Sequence, residues 1–273
     1  MRQRTLTALV MAALFLPILI FGHHYYIFTI FCGLLAVFAA FEIAMVAHKQ
    51  AGVPNFFAII MGLLSGGTYL MAYLLYAGVL EGMAVAIYLG LAIFLIMVTN
   101  LWFHLIKLNG ILYLIVISVY VGFAFAALST VRDAGLLYII YVLLTAMLTD
   151  TFAYFVGIKY GKHRLAVKIS PKKSVEGAIA GLLIGGSLAS LLAIILDLFA
   201  MHWSLTVLLT FGLSAIGQFG DLVASKIKRD YNVKDFSNLF PGHGGIMDRF
   251  DSWTFTALGL VIIAGLANII FVL

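Results

Sequence analysis

Apolar residues run through this chain in long blocks. Nine blocks come close to or exceed the roughly 20 residues that a helix needs to cross a bilayer. They lie at about 5–22, 25–47, 56–78, 82–103, 111–129, 136–158, 178–199, 203–224 and 253–273. The first follows MRQR and has the look of a signal peptide. No small-x-small cleavage site follows at FGHHYY, so it is read as a retained first helix. Most connections between the blocks are short. Two are long and polar: 161–177, which contains GKHRLAVKISPKKSVEG, and 225–252.

Composition turns this pattern into a class. The 273 residues are 64% hydrophobic and 10% charged, with a mean hydropathy of +1.15. A soluble domain carries about 25% charged residues, so this chain cannot cover a water-facing surface. The expectation is an all-α polytopic integral membrane protein with about nine transmembrane helices. Residues 1–273 would form a single membrane-embedded domain. Within it, 1–135 is an amino-terminal hydrophobic scaffold, and 136–273 is a catalytic half with the loops 161–177 and 225–252. The single Cys32 excludes a disulfide framework.

Charge then gives the orientation. With nine spans and an inside amino terminus, 15 of the 16 Lys and Arg residues fall on the cytoplasmic side, with Arg132 the exception. The sequence pI of 9.2 therefore reports topology, and no nucleic acid partner is expected. Both polar loops share that side, which puts the chemistry at the cytoplasmic surface of the membrane.

Acidic residues narrow the chemistry. Glu81, Asp133 and Asp197 fall at the outer edge as solvated residues. Glu42, Asp150 and Asp221 sit within or at the ends of apolar helices, where a carboxylate is costly unless paired or bound to a cation. Asp221, Ser225 and Lys228 share a helix face at i, i+4 and i+7, and Asp248 and Asp251 share one at i, i+3. Two converging helix ends would then bring Asp221, Asp248 and Asp251 to one depth. Oxygen-only donors favour Mg²⁺, with a second cation allowed. Lys226, Lys228, Arg229, Lys234, His243 and Arg249 suit phosphate oxygens. The glycines of PGHGG, including Gly244 and Gly245, can turn backbone N–H groups towards an anion. Asp251 has a second reading, a helix-face residue paired with Arg249 or a lysine. Lys172 and Lys173 contact either substrate or anionic headgroups. Glu42 is read as bonding only a neighbouring helix, and His23, His24, His104 and His202 are read as interfacial. There is neither a G-x-S-x-G nor a Walker motif, so the residue set describes phosphoryl or nucleotidyl transfer.

The stretch S-x-x-K-R…K-D…P-G-H-G-G-x-x-D-R-x-D spans Ser225, Lys228, Arg229, Lys234, Asp235, Pro241 to Gly245, Asp248, Arg249 and Asp251. It resembles the signature of the phosphatidate cytidylyltransferases (CDP-diacylglycerol synthases). ISPKKSVEG, with Asp150 before it, resembles the same family, which often has Thr where Ser174 stands. The resemblance is specific over about 150–251. It implies that CTP and phosphatidate, with Mg²⁺, give CDP-diacylglycerol and pyrophosphate in phospholipid biosynthesis. Asp221, Asp248 and Asp251 would hold metal, and Lys228, Arg229, Lys234, His243 and Arg249 would act on phosphate. Ser225, Gly244, Gly245, Lys172, Lys173, Ser174 and Asp150 would contact substrate. Two alternatives stand beside this: another CTP-using lipid enzyme such as a polyprenol kinase, and an ion-coupled transporter. Finally, Gly177, Gly181, Gly185, Ala189 and Ala193 recur every fourth residue. This small-residue ribbon is expected to pack against the helix at 203–224 or to form a homodimer contact.

Overall fold

The computed structural model describes residues 2–22, 26–103 and 107–266. His23, His24, His104 and positions 267–273 of the last expected span lie outside the described residues. The elements in chain order are α1 (Arg2–Phe21), α2 (Ile27–Ala51), α3 (Phe56–Tyr76), α4 (Gly82–Phe103), α5 (Leu108–Ala134) and α6 (Leu136–Tyr160). Next come β1 (Arg164–Ala166) and β2 (Ser170–Ser174), then α7 (Val175–Ala180), a π-helical turn (Gly181–Gly185) and α8 (Gly186–Ile195). The chain ends with α9 (Trp203–Asp230) and α10 (Met247–Leu266). Among the described residues, eight helical stretches are long and apolar enough to cross a membrane; α1 adds a shorter apolar stretch, Leu9–Phe21.

Three features differ from the sequence reading. Loop 161–177 holds an antiparallel hairpin, with Arg164 opposite Ser174 and Ala166 opposite Ser170. The helix expected at 178–199 starts earlier, because Ser174 caps it: its Oγ accepts the Gly177 N–H at 3.1 Å. The last helix starts at Met247 rather than at 253, and it carries both Asp248 and Asp251, as their i, i+3 spacing implied.

The chain divides into two compact units, Met1–Thr130 with Tyr231–Arg249, and Val131–Asp230 with Phe250–Leu273. The first unit takes in 231–249 together with the amino-terminal helices. The first unit has a core of Ala44, Ala47, Phe57, Met61, Leu64, Ile111 and Leu114 from α2, α3 and α5. Tyr69 OH donates to the Thr29 carbonyl at 2.6 Å, tying α3 to α2 with an interhelical hydrogen bond.

In the second unit the small-residue ribbon does pack tightly: its three glycines meet α6, while α8, which carries Ala189 and Ala193, packs against both α6 and the expected partner α9. A Cβ on Gly177 would stand 3.0 Å from Gly157 Cα. One on Gly181 would be 2.6 Å from the Thr149 carbonyl oxygen, and one on Gly185 would be 2.7 Å from Thr149 N. Ala189 and Ala193 are buried. The glycines of α9 serve α10 instead: a Cβ on Gly220 would meet Phe255 Cβ at 2.6 Å, and one on Gly217 would meet Thr256 Oγ1 at 2.7 Å. Hydroxyl pairs join α6 to α9, Tyr141 with Thr210 and Thr149 with Ser214, each at 2.7 Å. With little hydrophobic drive between helices in lipid, such contacts hold a bundle together.

Candidate active site

In the second unit these close approaches bring one carboxylate from each of three helices into electrostatic contact: Asp150 of α6, Asp221 of α9 and Asp251 of α10. Each has a local partner. Ser252 Oγ donates to Asp150 Oδ2 at 3.1 Å, Ser225 Oγ to Asp221 Oδ1 at 3.2 Å, and the Ser252 N–H to Asp251 Oδ1 at 2.8 Å. Two lysines enter the cluster. Lys173, carried by β2, places Nζ 2.6 Å from Asp221 Oδ2. Lys228, buried on α9, acts on Asp251. Of the two readings of Asp251, the structure therefore gives it a lysine neighbour, Lys228, within a carboxylate cluster.

The cluster borders a cleft of about 730 Å³ whose lining includes Asp150, Lys172, Lys173, Ser174, Gln218 and Asp221. The hairpin forms one wall. Arg229 Nε donates to the Ile169 carbonyl at 3.2 Å, tying the end of α9 to the hairpin. Glu176 takes the Lys162 and His163 N–H groups and the His163 ring, Nδ1 at 2.6 Å, so the start of the loop is fixed to α7. Lys226 pairs with Asp230 one turn on, and Lys172 is exposed.

Three carboxylates against two ammonium groups leave a negative excess and oxygen-only donors, a set that suits a hard divalent cation. Among the described residues no group of three or more His, Cys, Asp or Glu could itself hold a metal ion. Mg²⁺ needs less than that: it is usually held by one or two carboxylates, with waters and substrate phosphates completing its shell. The donor set fits.

The remaining motif residues belong to the first unit. Phe240, Pro241, Gly242 and His243 make a type II turn: Gly242 has φ +76°, and the His243 N–H donates to the Phe240 carbonyl at 2.8 Å. Gly244, at φ +83°, closes the turn with paired bonds to Phe240. Asp248 is buried, and its Oδ2 accepts the N–H groups of Phe236 and Gly245, both at 2.9 Å. The amides of Gly244 and Gly245 are thus committed inside the turn; the two glycines shape it rather than turn their N–H groups outward. Lys234 and Arg249 are exposed, and His243 is half-buried.

Sequence reasoning missed Gln218, whose Nε2 donates to the Ala178 carbonyl at 3.2 Å, and Ser252, which stands directly after the D-R-x-D run. It also undervalued Glu42. Its Oε2 accepts the Ile246 N–H at 3.0 Å and the Met247 N–H at 3.4 Å, so the expected bond to another helix is made to the backbone at the start of α10. The available signal was a carboxylate in the middle of an apolar helix.

The comparisons with known proteins extend over the whole of this architecture. The model of the cytidylyltransferase family matches residues 2–267. A phosphatidate cytidylyltransferase of Staphylococcus epidermidis is 36% identical over 278 residues, covering 93% of this chain and 95% of its own. Proteins so described from Staphylococcus haemolyticus and Staphylococcus aureus are 36% and 34% identical with the same coverage. With a family match of that extent, and with the three carboxylates and two lysines gathered in one unit, the chain belongs to the cytidylyltransferase family.

Proposed function

We propose that the chain is a phosphatidate cytidylyltransferase that transfers CMP from CTP to phosphatidate, giving CDP-diacylglycerol and pyrophosphate. The observation that carries this reading is the cluster of Asp150, Asp221, Asp251, Lys173 and Lys228 beside a cleft, in a chain whose relatives bear that name.

The chemistry accounts for the residue set. A phosphate oxygen of the lipid attacks the α-phosphorus of CTP. The new P–O bond forms as the bond to the bridging oxygen breaks, and the pair of electrons leaves with pyrophosphate. The nucleophile is already ionised near neutral pH, since a phosphomonoester has a second pKa near about 6. No strong general base is required, which is consistent with the missing triad. A hydroxyl acceptor, as in a polyprenol kinase, would need one. The barrier is repulsion between two polyanions, so positioned cations are the main need. Lys173 and Lys228 supply charge within the cluster, and Arg229, Lys234, His243 and Arg249 are assigned to phosphate by the motif. Asp221 and Asp251 would hold Mg²⁺, for Asp248 the motif supports the same role, and Mg²⁺ when bound supplies charge compensation to the phosphates.

In this reading the chain crosses the membrane nine times with α1 as the first span, and its amino terminus and both polar loops face the cytoplasm of a bacterium, where CTP is available and the acceptor is anchored at the interface. The distribution of Lys and Arg supports that orientation. Purified protein incubated with labelled CTP, phosphatidate and Mg²⁺ should release CDP-diacylglycerol and pyrophosphate together. Release of CDP with a phosphorylated lipid alcohol, or cation uptake into vesicles without nucleotide turnover, would replace this reading with one of its alternatives.

A further inference from the structure

We infer that Glu42, some 200 residues before the signature, is a positioning residue for the segment that carries the PGHGG turn and Asp248. The inference rests on the reading above that this segment serves nucleotidyl transfer. Every contact involved lies within the first unit.

Glu42 is buried, 7% exposed, in the apolar helix α2. A carboxylate there is costly unless something compensates it. The compensation comes from the amino end of α10. Ile246 and Met247 present two of the N–H groups that a helix start leaves without intrahelical partners, and both point at Glu42 Oε2. The Ser237 side chain lies close enough to favour the charged carboxylate. A negative charge at a helix start is further favoured by the helix dipole. Glu42 thus acts as a helix cap delivered from a distant part of the chain.

The cap also explains a glycine. A Cβ on Gly245 would overlap the Glu42 carboxyl group, so at that position only glycine lets the chain pass. The Gly245 N–H then donates to Asp248 Oδ2, the oxygen that also takes the Phe236 N–H. From Glu42 the contacts run to Gly245, Ile246 and Met247, and from Gly245 to Asp248. The carboxylate of Asp248 is therefore set in part through Glu42, a residue on another helix. Thr7 Oγ1 adds a weaker tie to the same turn, donating to the Pro241 carbonyl at 3.2 Å.

The test uses Glu42→Ala, Glu42→Gln, Gly245→Ala and the double variant Glu42→Ala/Gly245→Ala in the full-length enzyme. Two readouts are combined: steady-state kinetics with CTP and phosphatidate, and amide exchange at Gly245–Met247. Glu42→Ala should lower kcat by about 10²-fold with a much smaller change in KM, the scale of loss expected when a catalytic group is misplaced by an ångström. Exchange at Gly245–Met247 should quicken. Glu42→Gln keeps an acceptor oxygen for the two N–H groups and should restore most of the rate. Gly245→Ala should be severe alone and add nothing in the Glu42→Ala background, where space for a Cβ exists. The inference is overturned by wild-type kinetics in Glu42→Ala, by equal losses in the Ala and Gln variants with unchanged exchange, or by a full Gly245→Ala penalty in both backgrounds. If the wild-type enzyme makes no CDP-diacylglycerol, the proposed function fails while amide exchange at Gly245–Met247 in the four variants still decides whether Glu42 holds this segment.

Discussion

Lys173 Nζ and Asp221 Oδ2 stand 2.6 Å apart, joining the second strand of the hairpin to a carboxylate on α9. Each side chain is about a quarter exposed, at 26% and 29%, so the pair is neither a freely solvated surface contact nor a dry one. It also faces a cleft. Under the proposed function, Lys173 would serve two partners in turn, the aspartate when the cleft is empty and a phosphate when a nucleotide enters.

Lys173→Met should accordingly lower kcat/KM by about 10²-fold, in the range seen when a positioned electrostatic donor is lost. Lys173→Arg should recover part of it. A double-mutant cycle with Asp221→Asn should be strongly non-additive, as for residues in direct contact. Additive losses would show that the two side chains act independently.

The carboxylates allow a sharper comparison. Asp221→Asn and Asp248→Asn should each abolish turnover with little change in thermal stability. At position 248 the asparagine amide oxygen still offers an acceptor to Phe236 and Gly245, so the fold of the turn should survive while the charge is lost. Removing divalent cations with a chelator should stop the reaction, and added Mg²⁺ should restore it. Near-normal activity of either variant at low Mg²⁺ would sink the metal assignment.

How much of this was legible in the sequence depends on the distance over which each feature is encoded. Hydrophobic blocks are local, and eight of the expected nine spans reappear as helices of spanning length. The i, i+4 relation of Asp221 and Ser225 is local too, and it reappears as a hydrogen bond at 3.2 Å. Partner choice is not local. The ribbon from Gly177 was visible as a period of four, yet nothing in that period says whether α6 or α9 receives it; the choice follows from where Gly157 and Thr149 leave room for a close approach. The hairpin was hidden because ISPKKS, with a proline and two lysines, reads as a solvated loop. Glu42 was hidden for the opposite reason, since its partners are backbone groups more than 200 residues away, and backbone groups carry no sequence signal.

Ser174 separates capping from substrate contact. It borders the cleft, is almost fully buried, and caps α7 through Gly177. Ser174→Thr keeps the capping oxygen and should retain both stability and rate. Ser174→Ala should cost about 1 kcal/mol of stability, as cap removals do, measured by thermal unfolding in detergent. If Ser174→Ala also raises the KM for CTP well beyond what its stability loss explains, the hydroxyl contacts substrate as well.

Gly181 offers the most direct test of how the helices build the site. It stands in the π-helical turn, where one extra residue per turn shifts which side chains face the neighbouring helix. A Cβ there would come within 2.6 Å of the Thr149 carbonyl oxygen and 2.9 Å of Ala153 Cβ, both on α6. Backbone cannot step aside as a flexible side chain can, so any larger residue must push α6 away. Asp150 directly follows Thr149, and it bonds Ser252 and feels Lys173 and Asp221. Displacing α6 therefore moves one of three clustered carboxylates, although position 181 touches no substrate. Gly181→Ala should lower activity several-fold, and Gly181→Leu should abolish it, with a fall in melting temperature because α6 and the ribbon lose close contact. Substitution of Gly212, around which there is open space, should change little. The oligomeric mass of Gly181→Leu, measured in detergent, separates the remaining alternative: a variant that turns from dimer to monomer while amide exchange along α6 stays at the wild-type rate would show that the ribbon serves a second copy instead.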